Sequence, residues 1–171
     1  MENMARMTMS LALAVALLAL SGGPARSGEK KIQKSEVPAP VLDAVVRKYP
    51  TAKMVGFERS DDNGKTLFEV GIESGATKTD VEVTPQGKIE VEETVIGNGD
   101  LPATVKAGLA ASPYKGWKTQ KIEKVIKQEK TESPFYELVV QNKSKKVEVV
   151  FDHDGKVTEQ EEKSARDNDR D

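Results

Sequence analysis

From Thr66 to Glu73 apolar and polar residues alternate without a break, with Phe68, Val70 and Ile72 on one side and Glu69, Gly71 and Glu73 on the other. A period of two is the pattern of a half-buried strand. The alternation resumes from Thr79 to Glu93, T-D-V-E-V-T-P-Q-G-K-I-E-V-E-E, where two strands flank a Gly-containing turn. From Val147 to Glu161 the chain says nearly the same thing again, as V-E-V-V-F-D-H-D-G-K-V-T-E-Q-E. Gly87-Lys88-Ile89 falls on Gly155-Lys156-Val157, Val81 and Val83 fall on Val149 and Phe151, and Phe68-Glu69-Val70 falls on Tyr136-Glu137-Leu138. Self-similarity of this kind predicts two copies of one small unit.

Each copy opens on a helix. Val41, Leu42, Val45, Val46 and Tyr49 form an apolar stripe at helical spacing, with Asp43, Arg47 and Lys48 on the other side. Val37-Pro38-Ala39-Pro40 suits the first turn, where the missing proline N–H is no loss, and Pro50 stops the helix. A strand follows over Ala52 to Ser60, then Asp61-Asp62-Asn63-Gly64 as a hairpin turn. Leu101-Pro102-Ala103-Thr104-Val105 restarts the sequence of elements, with Gly108 and Pro113 weakening and shortening the second helix. Ile122-Glu123-Lys124 answers Phe57-Glu58-Arg59 in the first strand. The expected fold is α+β: two tandem modules, each one N-terminal helix packed on a four-stranded antiparallel sheet. The boundaries read as signal peptide 1–25, polar linker 26–36, first module 37–97, second module 98–160 and disordered tail 161–171.

The leading stretch sets the compartment. Arg6 precedes the apolar run Leu11 to Leu20, and small residues follow at Ser21, Gly22, Gly23 and Ala25. Such a run is about half the length of a membrane-spanning helix, so a cleaved secretory signal is expected. The mature protein is then exported, periplasmic or extracellular, with no stable membrane anchor.

Composition removes several classes of function. Of 171 residues, 26 are Lys or Arg and 28 are Asp or Glu, a net charge of −2 that lacks the basic excess of a nucleic-acid binder. There is no cysteine, which excludes thiol catalysis, thiolate metal sites and disulfides. His153, the sole histidine, sits in Asp152-His153-Asp154-Gly155, a turn that aligns with Pro85 in the other copy. A metal ligand needs partners, and neither this turn nor Asp61-Asp62-Asn63-Gly64 has the ligand spacing of a calcium loop. No nucleophile motif, phosphate loop or metalloprotease motif is present. The sequence therefore points to no enzyme, no cofactor and no metal site.

What remains is the sheet surface. Alternation sends Phe68, Val70, Ile72, Val81, Val83, Ile89 and Val91 beneath the helix. The opposite face then carries Glu69, Glu73, Asp80, Glu82, Glu90 and Glu92 in the first copy. In the second it carries Glu137, Val139, Gln141, Glu148 and Val150, with Val139 and Val150 exposed beside Phe135 as an apolar centre within a charged rim. The candidate partner-binding residues are Glu69, Glu73, Glu82, Glu90, Glu92, Phe135, Glu137, Val139, Glu148 and Val150.

The leading V/L-P, the F/Y-E-V/L of the second strand and the V-x-V/F-x-x-x-G-K-I/V of the last hairpin resemble the PepSY-like, or β-lactamase-inhibitor-like, family in tandem, over Val37 to about Glu159. The resemblance implies exported, non-catalytic modules, with relatives among the inhibitory propeptides of secreted metalloproteases. It implies binding or inhibition and supplies no catalytic residues. The expectation is an exported module engaging an unknown protein or peptide, an exported enzyme among the candidates, through open sheet faces. Two alternatives stand beside it: a cation-binding or sensory protein using the acidic face of the first copy, and an enzyme whose site is assembled from scattered residues.

Overall fold

The computed structural model describes residues 30–62, 64–130 and 133–163. The signal-peptide expectation lies outside them. Strand β1 (Lys30–Lys31) leads through a 3-10 turn at Lys34–Glu36 into helix α1 (Ala39–Lys48). Strands β2 (Lys53–Asp62), β3 (Lys65–Ser74), β4 (Thr77–Val83) and β5 (Ile89–Val95) complete the first copy. The second copy is helix α2 (Ala103–Ala111) with β6 (Lys118–Lys127), β7 (Phe135–Asn142), β8 (Lys145–Phe151) and β9 (Val157–Lys163). The helices begin and end where their sequences ask. Pro38 and Pro102 occupy the N-cap positions, and α1 buries Val41, Ala44 and Val45 while leaving Val46 exposed. Each fully buried valine is worth roughly 1.5–3 kcal/mol against exposure.

All nine strands form one antiparallel sheet in sequential order, β1 to β9. This corrects the expectation of two separate helix-on-four-strand modules. The joining contact is β5 against β6, paired from Val91 opposite Lys127 to Val95 opposite Glu123, and Ile96 N donates to Ile122 O at 3.0 Å. Two isolated four-stranded sheets would each leave an unpaired row of backbone donors and acceptors along these strands, and pairing satisfies both rows at once. The two cores stay distinct. One packs Val41 and Val45 against Phe68, Val70, Ile72, Val81 and Val83, and the other packs Val105 against Leu138, Val140, Val149 and Phe151. Alternation thus predicted correctly which face of β3, β4, β7 and β8 lies under a helix.

Four bulges repeat with the copies. In the first strands they fall between Met54 and Gly56 and between Thr119 and Lys121. In the last hairpins they fall at Glu82/Val83 and at Val150/Phe151. The ends also differ from expectation. Lys30–Lys31, assigned to a polar linker, pairs with Arg59 and Glu58, and Glu161 to Lys163, assigned to a tail, continues β9.

Candidate partner-binding face

The helix-free sides of both copies join into one concave surface. Its cleft, of about 1020 Å³, is lined by Glu58, Glu69 and Asp80 from the first copy and by Val139, Lys146 and Lys163 from the second. Residues of β1 and β2 share this cleft with residues of β7, β8 and β9, so the sheet curls its two ends towards each other. Right-handed twist accumulated over many strands gives this coiling.

Carboxyl groups face one another across the strands. Glu58 stands opposite Glu69, and Glu69 opposite Glu82. Asp80 stands opposite Glu93, Glu123 opposite Glu137, and Glu148 opposite Glu161. Like charges directly opposite are destabilising, so the pattern departs from what stability favours. It also repeats: Glu58, Glu69 and Asp80 in the first copy correspond to Glu123, Glu137 and Glu148 in the second. Burial, reinforced by Asp80, Glu58, Glu93 and Glu82, pushes the Glu69 carboxyl up to about 8. Burial, then Glu148, Glu93 and Glu123, raises Glu137 in the same way. Asp80 and Glu123 are raised chiefly by burial, against the pull of neighbouring lysines. Lys121 Nζ lies 3.1 Å from Glu123 Oε1, an ionic contact without hydrogen-bond geometry. Lys163 pairs with Glu148; burial opposes its charge but this pairing outweighs burial, and the ammonium is held above its ordinary value.

The ten candidate residues separate into three groups. Glu69, Glu73 and Val139 line the cleft, and Glu82, Glu137, Glu148 and Phe135 lie on the same side of the sheet by cross-strand register. Lys127 Nζ stands 5.3 Å from the centroid of the Phe135 ring, over it.

Val139 and Val150 are on that side too, but they are 7% and 8% exposed, so the expected exposed apolar centre is corrected. Val125, 4% exposed, is likewise buried outside both helix-covered cores. By register Val139 has Lys121 and Glu148 beside it and Val150 has Glu137 and Glu159, long side chains whose stems can cover short apolar ones.

Glu92 belongs elsewhere. Glu82 pairs with Val91 and Val83 with Ile89, so Glu90 is the extra residue of a bulge. One extra residue reverses every side chain beyond it. Val91, expected under the helix, therefore shares the cleft side with Glu82, and Glu92, expected on the open face, shares the helix side with Val81. There Glu92 accepts hydrogen bonds from Lys48 Nζ at 2.5 Å, Gln128 Nε2 at 2.8 Å and Tyr49 OH. This carboxylate and burial hold the Tyr49 phenol well above its ordinary value, burial being the larger cause. Glu90 pairs with Lys65, and with Lys88 at 3.6 Å.

Sequence reasoning missed Glu58, Lys121 and Lys163 as cleft residues, and Glu93 and Glu123 on the same side of the sheet. The alignment of Glu58 with Glu123 was the available signal, since an acidic residue recurs at that position in both copies. Among the described residues no cluster of three or more His, Asp or Glu side chains is arranged to hold a metal ion, and His153 lies in the β8–β9 turn, where its carbonyl accepts from Thr104 Oγ1 at 2.7 Å.

Fold and site together define a duplicated helix-on-sheet protein whose copies share one curved sheet and one concave face. The chain belongs to the putative β-lactamase-inhibitor-like, PepSY-like family, whose model matches residues 26–90 and again 67–159. No curated protein matches it. Among solved structures it is similar to a putative periplasmic protein of Bacteroides eggerthii, at 24% identity over 74% of this chain and 88% of that one, with a TM-score of 0.63. A DUF2874 family protein of Bacteroides uniformis gives 23% identity, 73% and 88% coverage and a TM-score of 0.62. A BLIP-like protein of Bacteroides fragilis gives 17%, 73% and 86%, and 0.59. At these identities the likeness is one of fold.

Proposed function

We infer that this is an exported, non-catalytic binding module that engages a protein or peptide through the concave face of its sheet. The observation that carries the reading is the cleft of about 1020 Å³ to which both copies contribute. A surface of that curvature, with Val55, Val95 and Val139 among lining charges of both signs, is shaped for a protruding polypeptide segment. The inhibitor-like family supports binding over catalysis. Export is supported by the apolar run Leu11 to Leu20 and by the description of the Bacteroides eggerthii neighbour as a putative periplasmic protein.

One observation favours a second reading. A cleft with a carboxyl raised above its ordinary value is what an acid–base enzyme would need, and Glu69 in the cleft and Glu137 on the same side of the sheet are both raised. Here the raised values follow from burial and from repulsion among a ladder of carboxyls, an origin that needs no substrate. Hydrolysis of a chromogenic glycoside, lost in both Glu69→Gln and Glu137→Gln, would establish the enzyme instead.

The binding reading is tested by cross-linking capture from the exported fraction, with the chain from Arg26 as bait. Glu73→Lys and Lys146→Glu change half-buried cleft residues on β3 and β8. The expected result is one dominant protein, lost with this double variant while its melting temperature stays within a few degrees of the parent. Capture of nothing specific, or of the same proteins by both baits, removes the reading.

A further inference from the structure

The contact that joins the two copies also describes an edge that, among the described residues, has no partner strand. The last strand of the first copy, β5, takes the first strand of the second, β6, along its outer edge. The first strand of the first copy, β2, is covered in the same manner. Lys31 stands opposite Glu58 as Val95 stands opposite Glu123, and Ile32 N donates to Phe57 O at 3.0 Å as Ile96 N donates to Ile122 O at 3.0 Å. The same junction is thus built twice. Its third possible place is the outer edge of β9, the counterpart of β5, and among the described residues no strand lies there.

The β9 edge keeps the geometry of β5. It carries the same bulge against its neighbour, and Gln160 pairs with Val149 as Glu92 pairs with Val81. Because Ile96 N faces β6, alternation turns the N–H groups of Thr94 and Glu92 the same way, and in β9 it turns those of Glu162 and Gln160 outward. Chemistry is changed along with position. Where β5 has Val91, Thr94 and Val95, β9 has Glu159, Glu162 and Lys163. Laying β6 on β9 in the β5 register sets Lys127 opposite Glu159, Lys124 opposite Glu162 and Glu123 opposite Lys163. Each is an opposite-charge pair, which favours strand pairing.

We propose that the outer edge of β9 accepts an extended strand from another protein, antiparallel, with basic residues spaced as Lys124 and Lys127 are in β6. Backbone hydrogen bonds from Gln160 and Glu162 hold such a strand, and the β9 carboxylates select its charge. A second copy of this chain fits less well. Its corresponding strand, β2, is already covered at Glu58 and Arg59, and its Asp62 would fall opposite Glu159. The edge shares Lys163 with the concave cleft, but Gln160 and Glu162, whose outward donors would hold the strand, are not among the cleft-lining residues, so separate variants test the two readings.

The probe is a fluorescein-labelled peptide with the sequence of Lys118 to Gln128, titrated against the chain from Arg26 and read by anisotropy. Glu162→Pro removes one outward donor at an edge position that tolerates proline. A second variant, Glu159→Lys with Glu162→Lys, keeps every donor and reverses the charge. Saturable binding weakened about tenfold or more by each variant is expected, the loss of one or two hydrogen bonds or ion pairs. Binding should be unchanged in Glu73→Lys with Lys146→Glu. The proposal is overturned by the absence of saturable binding or by binding indifferent to both β9 variants. Loss with the cleft variant alone overturns it equally. Concentration-dependent dimers in sedimentation that Glu162→Pro abolishes would assign the edge to a second copy instead.

Discussion

Gly108 on α2 lies against Gly155 in the β8–β9 turn so closely that a Cβ on Gly108 would stand 2.8 Å from the Gly155 carbonyl carbon and nearer still to its oxygen. The turn glycine is held just as tightly, since a Cβ there would overlap Thr104 O, and its φ of +82° already favours glycine. The other copy has the corresponding contact between Gly87 and Pro40 O. Helix start and hairpin turn are therefore pinned together in each copy by a close backbone approach.

Gly108→Ala sets two effects in opposition. Helix propensity alone would stabilise the variant by about 1 kcal/mol. The overlap falls on backbone of a turn fixed by its own hydrogen bonds, Gly155 N to Asp152 O and Asp152 N to Lys156 O, both 3.0 Å. Overpacking of this kind costs about 1–3 kcal/mol, so a net loss is expected in urea denaturation. A gain would show that α2 can lift from the turn freely.

Glu92→Ala should destabilise the protein without touching recognition. The substitution leaves Lys48, Tyr49 and Gln128 without their shared acceptor at the end of α1. Loss of hydrogen bonds to a charged acceptor that is 5% exposed is worth about 2–3 kcal/mol. Partner capture by the folded variant should be that of the parent. Loss of capture at unchanged stability would return Glu92 to the open face.

Glu92 also shows what the sequence could and could not reveal. The helix stripe of Val41 and Val45, the duplication, and the inward faces of β3 and β4 were legible because each depends on local periodicity alone. The last hairpin was not, because the bulge at Glu90 carries no glycine or proline to announce it, and one extra residue exchanges the roles of Val91 and Glu92. The β5–β6 junction was illegible for another reason. It is a contact between two edges, and nothing in either strand's own pattern distinguishes an edge that meets another from one that meets water. The burial of Val139 and Val150 involves long side chains of the adjoining strands, which no single strand encodes.

The β7–β8 hairpin stores strain at Lys143, whose φ of +53° is unfavourable for a side chain. Lys143→Gly relieves up to about 1–2 kcal/mol of that conformation and gives back about 0.5–1 kcal/mol in unfolded-chain entropy. A rise in melting temperature of a few degrees is the expected outcome by calorimetry. No change, or a fall, would mean that the Gln141 Nε2 bond to Lys143 O, at 2.9 Å, fixes the turn at no conformational cost.

Stability should fall as pH rises. Glu69 is held near 8 in the folded protein, above the 4.5 of an unperturbed glutamate, so between those values the folded chain keeps a proton that the unfolded chain has lost. The sign follows from linkage: where the folded state binds more protons, stability decreases with pH, and the decrease ends once the folded carboxyl has ionised. Asp80, Glu123 and Glu137 are raised in the same sense and add to the slope. Asp61 and Glu90 are lowered by Arg59 and Lys65 and act oppositely, but both are near the surface, where screening leaves such pairs little weight. Urea midpoints should therefore be higher at pH 5 than at pH 8. Glu69→Gln, uncharged throughout, should flatten the profile and stabilise the protein at pH 8 while changing it little at pH 5. A profile that rises from pH 5 to pH 8 in the parent would mean that the cleft carboxyls are ionised and solvated, and that the sheet is more open in solution than the burial of Glu69, Glu123 and Glu137 requires.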